Sequence, residues 1–164
     1  MIVDDHPLIT DGLKMLLSDV KNIDVVATAS NGRDALFHLQ NTVVDIVLID
    51  VDMPLMNGID ATKKITSDYP QVKVIALTSY AEKALIKKML EAGARGYILK
   101  TIKKEEIIQV IKQVMLGEQG FSSEVSIILA KTDAEEIIKN PLQNNVSKEL
   151  SAREVEVIKL ISQG

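Results

Sequence analysis

The sequence predicts an α/β fold built on a doubly wound, five-stranded parallel sheet, and a few features of the chain predict it. Ile46, Val47, Leu48 and Ile49 form an unbroken run of large apolar residues that ends abruptly at Asp50. Such a run suits a strand buried on both faces. From Met1 to about Leu116, short β-rich runs alternate five times with stretches of helical periodicity. That alternation argues for a parallel sheet with helices on both faces. Right-handed crossovers then leave the order 2-1-3-4-5 as the natural candidate.

Met1-Ile2-Val3 reads as the end of the first strand, running into Asp4-Asp5. Three residues are short against a typical ~5–6, so the N-terminus reads as trimmed. Pro7 suits a helix start. Ile9, Leu13, Leu16 and Leu17 recur at helical spacing and place an amphipathic helix over residues 7–18. Residues 23–29 form the second β-rich run. Ser30-Asn31-Gly32 is a turn, and Ala35, Leu36 and Leu39 mark a short helix to about residue 41. The Asp50 strand leads into a loop marked by Pro54 and Asn57-Gly58. A helix over 58–68 follows, ended by Tyr69-Pro70. Residues 72–77 form the fourth strand, closing on Thr78-Ser79. Leu85, Met89 and Ala92 share a helical face, with Gly93 as the C-cap. Residues 96–99 form the fifth strand, closing on Lys100. Ile107, Ile111, Val114 and Met115 make a helical stripe before Gly117.

The pattern changes there, so residues 1–117 read as one domain and 118–149 as a helical linker. Val125 and Leu129 place a short helix over 122–131, and a brief one is expected over 134–139. Pro141 and Asn144-Asn145 mark polar linker. At residue 150 a fresh helix starts: Ser151 can cap it and Glu154 completes a capping box. Val155, Ile158 and Ile161 continue one face to Gly164. A lone helix of that length is marginal, so 150–164 reads as the first helix of a partial helical domain.

Composition narrows the function. The chain has 164 residues, 46% of them hydrophobic, enough for one domain and a modest appendage. A net charge of −4 and a pI near 5.2 give no footprint for nucleic acid or an anionic membrane. Aromatics at 3% argue against a stacking platform for bases or flat cofactors. The absence of cysteine excludes disulfides, thiolate metal sites and Cys nucleophiles, and is compatible with a reducing cytoplasm. No apolar run approaches the ~20 residues of a membrane span, and no signal peptide is visible.

The strand ends carry the chemistry. In the order 2-1-3-4-5, strands 1, 3, 4 and 5 are neighbours, so Asp4, Asp5, Asp50, Thr78 and Lys100 can converge at the sheet's carboxyl edge. Close carboxylates stay ionised together only if a cation joins them, and oxygen donors suit Mg²⁺. A hydroxyl and an ammonium beside a metal-bound carboxylate can hold phosphoryl oxygens, and a carboxylate can itself accept the phosphoryl group. The expected chemistry is metal-assisted phosphoryl transfer onto an Asp. Each residue alone has a plainer role: helix cap for Asp4 or Asp5, turn former for Asp50, solvated end for Thr78, exposed charge for Lys100, core for Tyr97. Independent capping choices would not readily produce so coherent a set at four strand ends.

The segments Val3-Asp4-Asp5-His6, Leu48-Ile49-Asp50-Val51-Asp52-Met53-Pro54-Leu55-Met56-Asn57-Gly58, Leu77-Thr78-Ser79 and Gly96-Tyr97-Ile98-Leu99-Lys100 resemble the receiver domain of bacterial two-component response regulators. The resemblance covers roughly residues 1–116. It implies a flavodoxin-like receiver fold with Asp50 as phosphoacceptor. It implies Mg²⁺ bound by Asp5, Asp50 and the Asp52 main-chain carbonyl, with Asp4 assisting. Thr78 becomes the switch hydroxyl, Lys100 the phosphoryl partner and Tyr97 the switch aromatic. The phosphodonor is expected to be a sensor histidine kinase, and the location cytoplasmic. Gly117-Glu118, Phe121-Ser122 and Leu150-Ser151-Ala152-Arg153-Glu154 are similar to LuxR/NarL-type regulators. That likeness implies a parent transcription factor that forms a homodimer on phosphorylation. DNA would be contacted by the full-length parent only, because the recognition helix of the helix-turn-helix is missing here. No enzyme activity is expected beyond self-phosphorylation and autodephosphorylation.

Rival readings are weaker. Asp50-Val51-Asp52 resembles the nucleophile motif of haloacid dehalogenase-like phosphatases, but Pro54 stands where those have Thr or Val, and their acidic pair comes late in the chain. A flavodoxin-like flavin binder needs a Ser/Thr/Gly phosphate loop where this chain has Asp4-Asp5-His6-Pro7. A phosphorylation-independent interaction module is the third alternative.

Overall fold

The computed structural model describes residues 1–101 and 103–139, with side chains described as far as Lys131. Among them, β1 (Ile2–Val3), β2 (Thr28–Ala29), β3 (Ile46–Asp50), β4 (Lys73–Thr78), β5 (Gly96–Leu99) and β6 (Gly120–Phe121) form one parallel sheet of order β2-β1-β3-β4-β5-β6. The helices between them are α1 (Pro7–Leu17), α2 (Gly32–Leu39), α3 (Gly58–Asp68), α4 (Lys83–Glu91) and α5 (Lys104–Met115), and α6 (Ser123–Lys139) follows β6.

Residues Val47 to Asp50 and Val74 to Thr78 are all buried, as unbroken apolar runs demand of strands covered on both faces. Side chains alternate across the sheet. On one face Ile2, Leu48, Ile75, Leu77 and Ile98 pack with Leu17 of α1 and Ile107, Val110, Ile111 and Val114 of α5. The alternate strand positions, including Val47, Ile49, Val74 and Ala76, belong to the other face. There α2, α3 and α4 bury Ala35, Ala61, Ile65, Ile86 and Met89. Asn31 caps α2 by accepting the Arg33 and Asp34 N–H groups, and Asn57 caps α3 by accepting that of Asp60. Gly93 (φ +103°) ends α4 in the left-handed conformation that favours glycine. No helix among the described residues is long and apolar enough to cross a membrane.

The expected five-strand order is present, but a sixth strand extends it. β6 pairs with β5 through Gly96↔Gly120 and Tyr97↔Phe121. Two residues carry no periodicity, so this strand reads as linker in the sequence. The expected second strand over 23–29 is cut to Thr28–Ala29, because β1 offers only Ile2 and Val3 to pair with. Residues 23–27 lie outside the ladder, although Ala27 O still accepts the Ile2 N–H. Beside them is a cavity of about 250 Å³, lined by Leu17, Ile23, Val25, Val44, Ile46 and Leu48 among others. The two short helices expected over 122–131 and 134–139 are one helix, α6, of 17 residues. Neither Pro nor Gly interrupts it, and Thr132-Asp133 alone do not break a helix. Met1–Ile128 form one compact unit, and the chain from Leu129 belongs to another. The helix expected over 150–164 lies outside the described residues.

Candidate functional site

The parallel ladders fix where each polar strand end stands. Val3 pairs with Ile49, Asp50 with Leu77, and Thr78 with Leu99. Asp4 therefore leaves β1 beside the end of β3, and Lys100 leaves β5 beside the end of β4. Backbone bonds lock these exits: Val51 N–H donates to Leu77 O (3.2 Å) and Lys100 N–H to Thr78 O (2.7 Å).

Lys100 spans the carboxylates. Its Nζ stands 2.7 Å from Asp50 Oδ2 and 2.8 Å from Asp4 Oδ2. The Asp4 and Asp50 side chains are buried, that of Asp4 completely, and that of Lys100 is 9% exposed. Asp50 Oδ1 accepts the Val51 N–H (2.8 Å). Asp4 Oδ1 accepts the His6 N–H (2.9 Å), and the His6 ring places Nδ1 3.1 Å from Asp4 Oδ1 and 3.0 Å from Asp5 Oδ1. One donor atom from each of Asp4, Asp5, His6 and Asp50 lies within 4.8 Å of the others.

The donor set fits a small hard cation. Asp4 Oδ2 and Asp5 Oδ1 are enclosed and receive no hydrogen bond of ordinary geometry, despite the ammonium and imidazole beside them. Clustered carboxylate oxygens of this kind are Mg²⁺ ligands. Electrostatics agree. Burial pushes the Asp50 carboxyl above its ordinary value, and the Asp4 charge adds to that, while Lys100 and the Val51 N–H oppose it. Burial alone lowers the Lys100 ammonium, but its bonds to Asp4 and Asp50 outweigh that and hold it above the ordinary lysine value. The pocket is thus short of positive charge.

Thr78 is buried at the end of β4, and its Oγ1 accepts the Tyr80 N–H (3.2 Å). Tyr97 is fully buried, and its hydroxyl makes no hydrogen bond of ordinary geometry. Burial pushes this phenol up to about 12; the neighbouring Thr78 side chain opposes the shift, and the charges of Asp52, Glu82 and Asp50 add to it.

The structure therefore brings Asp4, Asp5, Asp50 and Lys100 together and sets Thr78 and Tyr97 alongside. The Asp52 side chain is exposed and its carboxylate stands outside the cluster. Sequence reasoning passed over His6, whose signal was its place directly after the acidic pair. It also missed that β6 is tied to Tyr97, whose carbonyl accepts the Ser122 N–H (3.1 Å). The Glu106 carboxylate accepts the Ser123 N–H at the start of α6.

Comparisons with known proteins agree with this geometry. Residues 1–112 match the family described as the response regulator receiver domain. The response regulator UvrY of Escherichia coli (strain K12) is 35% identical over 165 residues, an alignment that spans 100% of this chain and 73% of UvrY. The transcriptional regulatory protein LnrK of Bacillus subtilis (strain 168) is 36% identical over 168 residues, spanning 100% of this chain and 76% of LnrK. Among solved structures, a LuxR-family two-component response regulator from Aurantimonas sp. SI85-9A1 superposes with a TM-score of 0.78 at 30% identity, covering 82% of this chain and 96% of that one. Matching motifs at the ends of β1, β3, β4 and β5, a matching sheet and relatives aligned along the whole chain lead to one conclusion: this chain belongs to the response regulators of two-component systems, of the LuxR/NarL type, with a receiver domain at its N-terminal end.

Proposed function

We propose that Asp50 accepts a phosphoryl group from a sensor histidine kinase, and that the modified receiver pairs with a second copy to control transcription in the full-length regulator. One observation carries this reading: a buried Asp50, 2.7 Å from the Lys100 ammonium, shares a pocket with Asp4 and Asp5. An Asp50 oxygen forms the new bond to phosphorus as the bond from phosphorus to the donor's imidazole nitrogen breaks, and the released imidazole takes up a proton. Asp5 and Asp50, with the Asp52 main-chain carbonyl and with Asp4 assisting, would hold Mg²⁺. Bound there, the ion offsets the crowded negative charge and draws electron density from the phosphoryl oxygens. Lys100 keeps Asp4 as a partner and gains a phosphoryl oxygen. The role is that of a signalling switch, with at most its own phosphorylation and dephosphorylation as chemistry.

Thr78 and Tyr97 supply the readout. The Thr78 hydroxyl turns from the Tyr80 N–H to donate to a phosphoryl oxygen. Tyr97 is fully buried beside Thr78, so movement of the Thr78 hydroxyl changes the space that the Tyr97 ring occupies. β5 and β6 move with it. A shift of this kind requires the phosphoryl group to interact differently with the two states, and Thr78 is where that difference arises.

Intact mass after incubation with Mg²⁺ and acetyl phosphate tests the assignment. A single phosphoryl adduct is expected on the parent and none on Asp50→Asn. A folded parent that gains no adduct overturns it. Thr78→Ala is expected to retain the adduct but lose the change in sedimentation that phosphorylation produces; a full change in this variant refutes the coupling.

A further inference from the structure

We propose that His6 turns the carboxylate pocket into a mixed nitrogen–oxygen site that holds a borderline-soft divalent cation such as Zn²⁺ more tightly than Mg²⁺. The inference rests on the reading that these carboxylates hold a divalent cation. It adds a ligand and a selectivity to that site.

His6 is the N-cap residue of α1, yet its side chain makes no capping hydrogen bond. The ring is instead turned to the acidic pair. The main chain sets this up, because the His6 N–H bonds Asp4 Oδ1 and so tightens the turn that carries the ring. Nδ1 then stands 3.1 Å from Asp4 Oδ1 and 3.0 Å from Asp5 Oδ1. Both contacts are of hydrogen-bond length, and they are also the separations of neighbouring ligand atoms around one small cation. With bonds of ~2.1 Å, octahedral neighbours lie ~3.0 Å apart and tetrahedral ones ~3.4 Å. Spacing admits either ion, so the donor type decides between them. Mg²⁺ takes oxygen and keeps its waters, whereas imidazole nitrogen is a preferred ligand of Zn²⁺. The His6 side chain is 63% exposed, so a hydrated ion can reach it. Nothing else in the chain offers the same chemistry: it has no cysteine, and its other histidine, His38, lies on α2 with its ring beside Phe37. A Zn²⁺ held by His6, Asp5 and Asp4 would occupy the place of Mg²⁺ and oppose phosphoryl acceptance.

Titration calorimetry with ZnCl₂ and with MgCl₂ tests the inference on the parent, His6→Ala, His6→Gln and His38→Ala. The parent is expected to bind one Zn²⁺ at least about 10-fold more tightly than Mg²⁺. Both His6 variants should weaken Zn²⁺ by about 10–100-fold and Mg²⁺ by less than about 3-fold, with His38→Ala unchanged. Zn²⁺, and not Mg²⁺, should shift the ¹⁵N resonances of the His6 ring. Unchanged Zn²⁺ affinity in the His6 variants overturns the proposal, as does equal weakening of both ions, which would make His6 a structural residue only. A parent that binds neither ion removes the cation reading of the pocket and this inference with it, whereas Mg²⁺ binding without His6-dependent Zn²⁺ binding removes the inference alone.

Discussion

Lys100→Met is expected to destabilise the metal-free protein by about 3–5 kcal/mol at neutral pH, the usual cost of removing one partner from a buried charge cluster. Lys100 stands 2.7 and 2.8 Å from two buried carboxylates. Methionine keeps most of the volume, so the loss is electrostatic rather than a packing defect. Without the ammonium, Asp4 and Asp50 face each other uncompensated. The sign of the pH dependence follows. In the parent, burial already raises the Asp50 carboxyl above 3.8, its ordinary value. A raised acid contributes stability below the unfolded value and loses it as pH rises through the folded one. Removing Lys100 removes a lowering influence, so the Asp50 carboxyl rises further. The penalty should therefore be small near pH 3 and grow toward neutrality. Mg²⁺ should recover part of it, because the cation replaces the missing positive charge. Urea unfolding across that pH range, with and without Mg²⁺, measures this. A pH-independent loss would mean that Lys100 acts through packing.

Gly58→Ala should cost roughly 3 kcal/mol or more, at the upper end for inserting one methyl group into a filled space. A β-carbon at Gly58 would meet the Asp50 carbonyl oxygen at 2.1 Å and Val51 Cα at 2.9 Å. Both are backbone atoms, and neither can turn aside as a side chain can. The Gly58 N–H also donates to Val51 O (2.9 Å), holding the start of α3 against the residue that follows Asp50. Relief requires the β3–α3 loop to shift, so the same variant should accept a phosphoryl group more slowly even where it folds. Gly12 is the control. It lies within α1, and a β-carbon there meets nothing within 4 Å. Gly12→Ala should instead stabilise by up to about 1 kcal/mol, the ordinary helix preference for alanine. Equal unfolding midpoints for the two variants would show that the close approach at Gly58 yields without cost.

The elements legible in the sequence are those whose physics is local. Ile46 to Ile49 announce a strand enclosed on both faces because a short, unbroken apolar run rich in β-branched residues suits that environment. The stripe Ile107, Ile111, Val114 announces α5 in the same way. The convergence of Asp4, Asp50 and Lys100 followed from strand order, which crossover handedness constrains. Other features depend on a partner elsewhere. Residues 23–27 have the composition of a strand, but a ladder needs residues opposite, and β1 supplies two. β6 exists because the edge of β5 is open where Gly120 passes it. The reach of Lys100 to two carboxylates at once and the turn of the His6 ring toward Asp5 are side-chain geometries, which residue types and spacing do not encode.

The shortness of β1 has a consequence for how the sheet breathes. Amide groups exchange with solvent water through local openings whose cost follows the surrounding ladder and packing. Residues 24–26 have no ladder and border a cavity of about 250 Å³, whereas Val47 to Ile49 and Val74 to Leu77 are enclosed and paired. Exchange should be fast in the first stretch and limited by global unfolding in the others. The frayed stretch lies at the amino edge of the sheet and the charged pocket at the carboxyl edge. The fold can thus loosen at one end without disturbing the geometry of Asp4, Asp50 and Lys100 at the other.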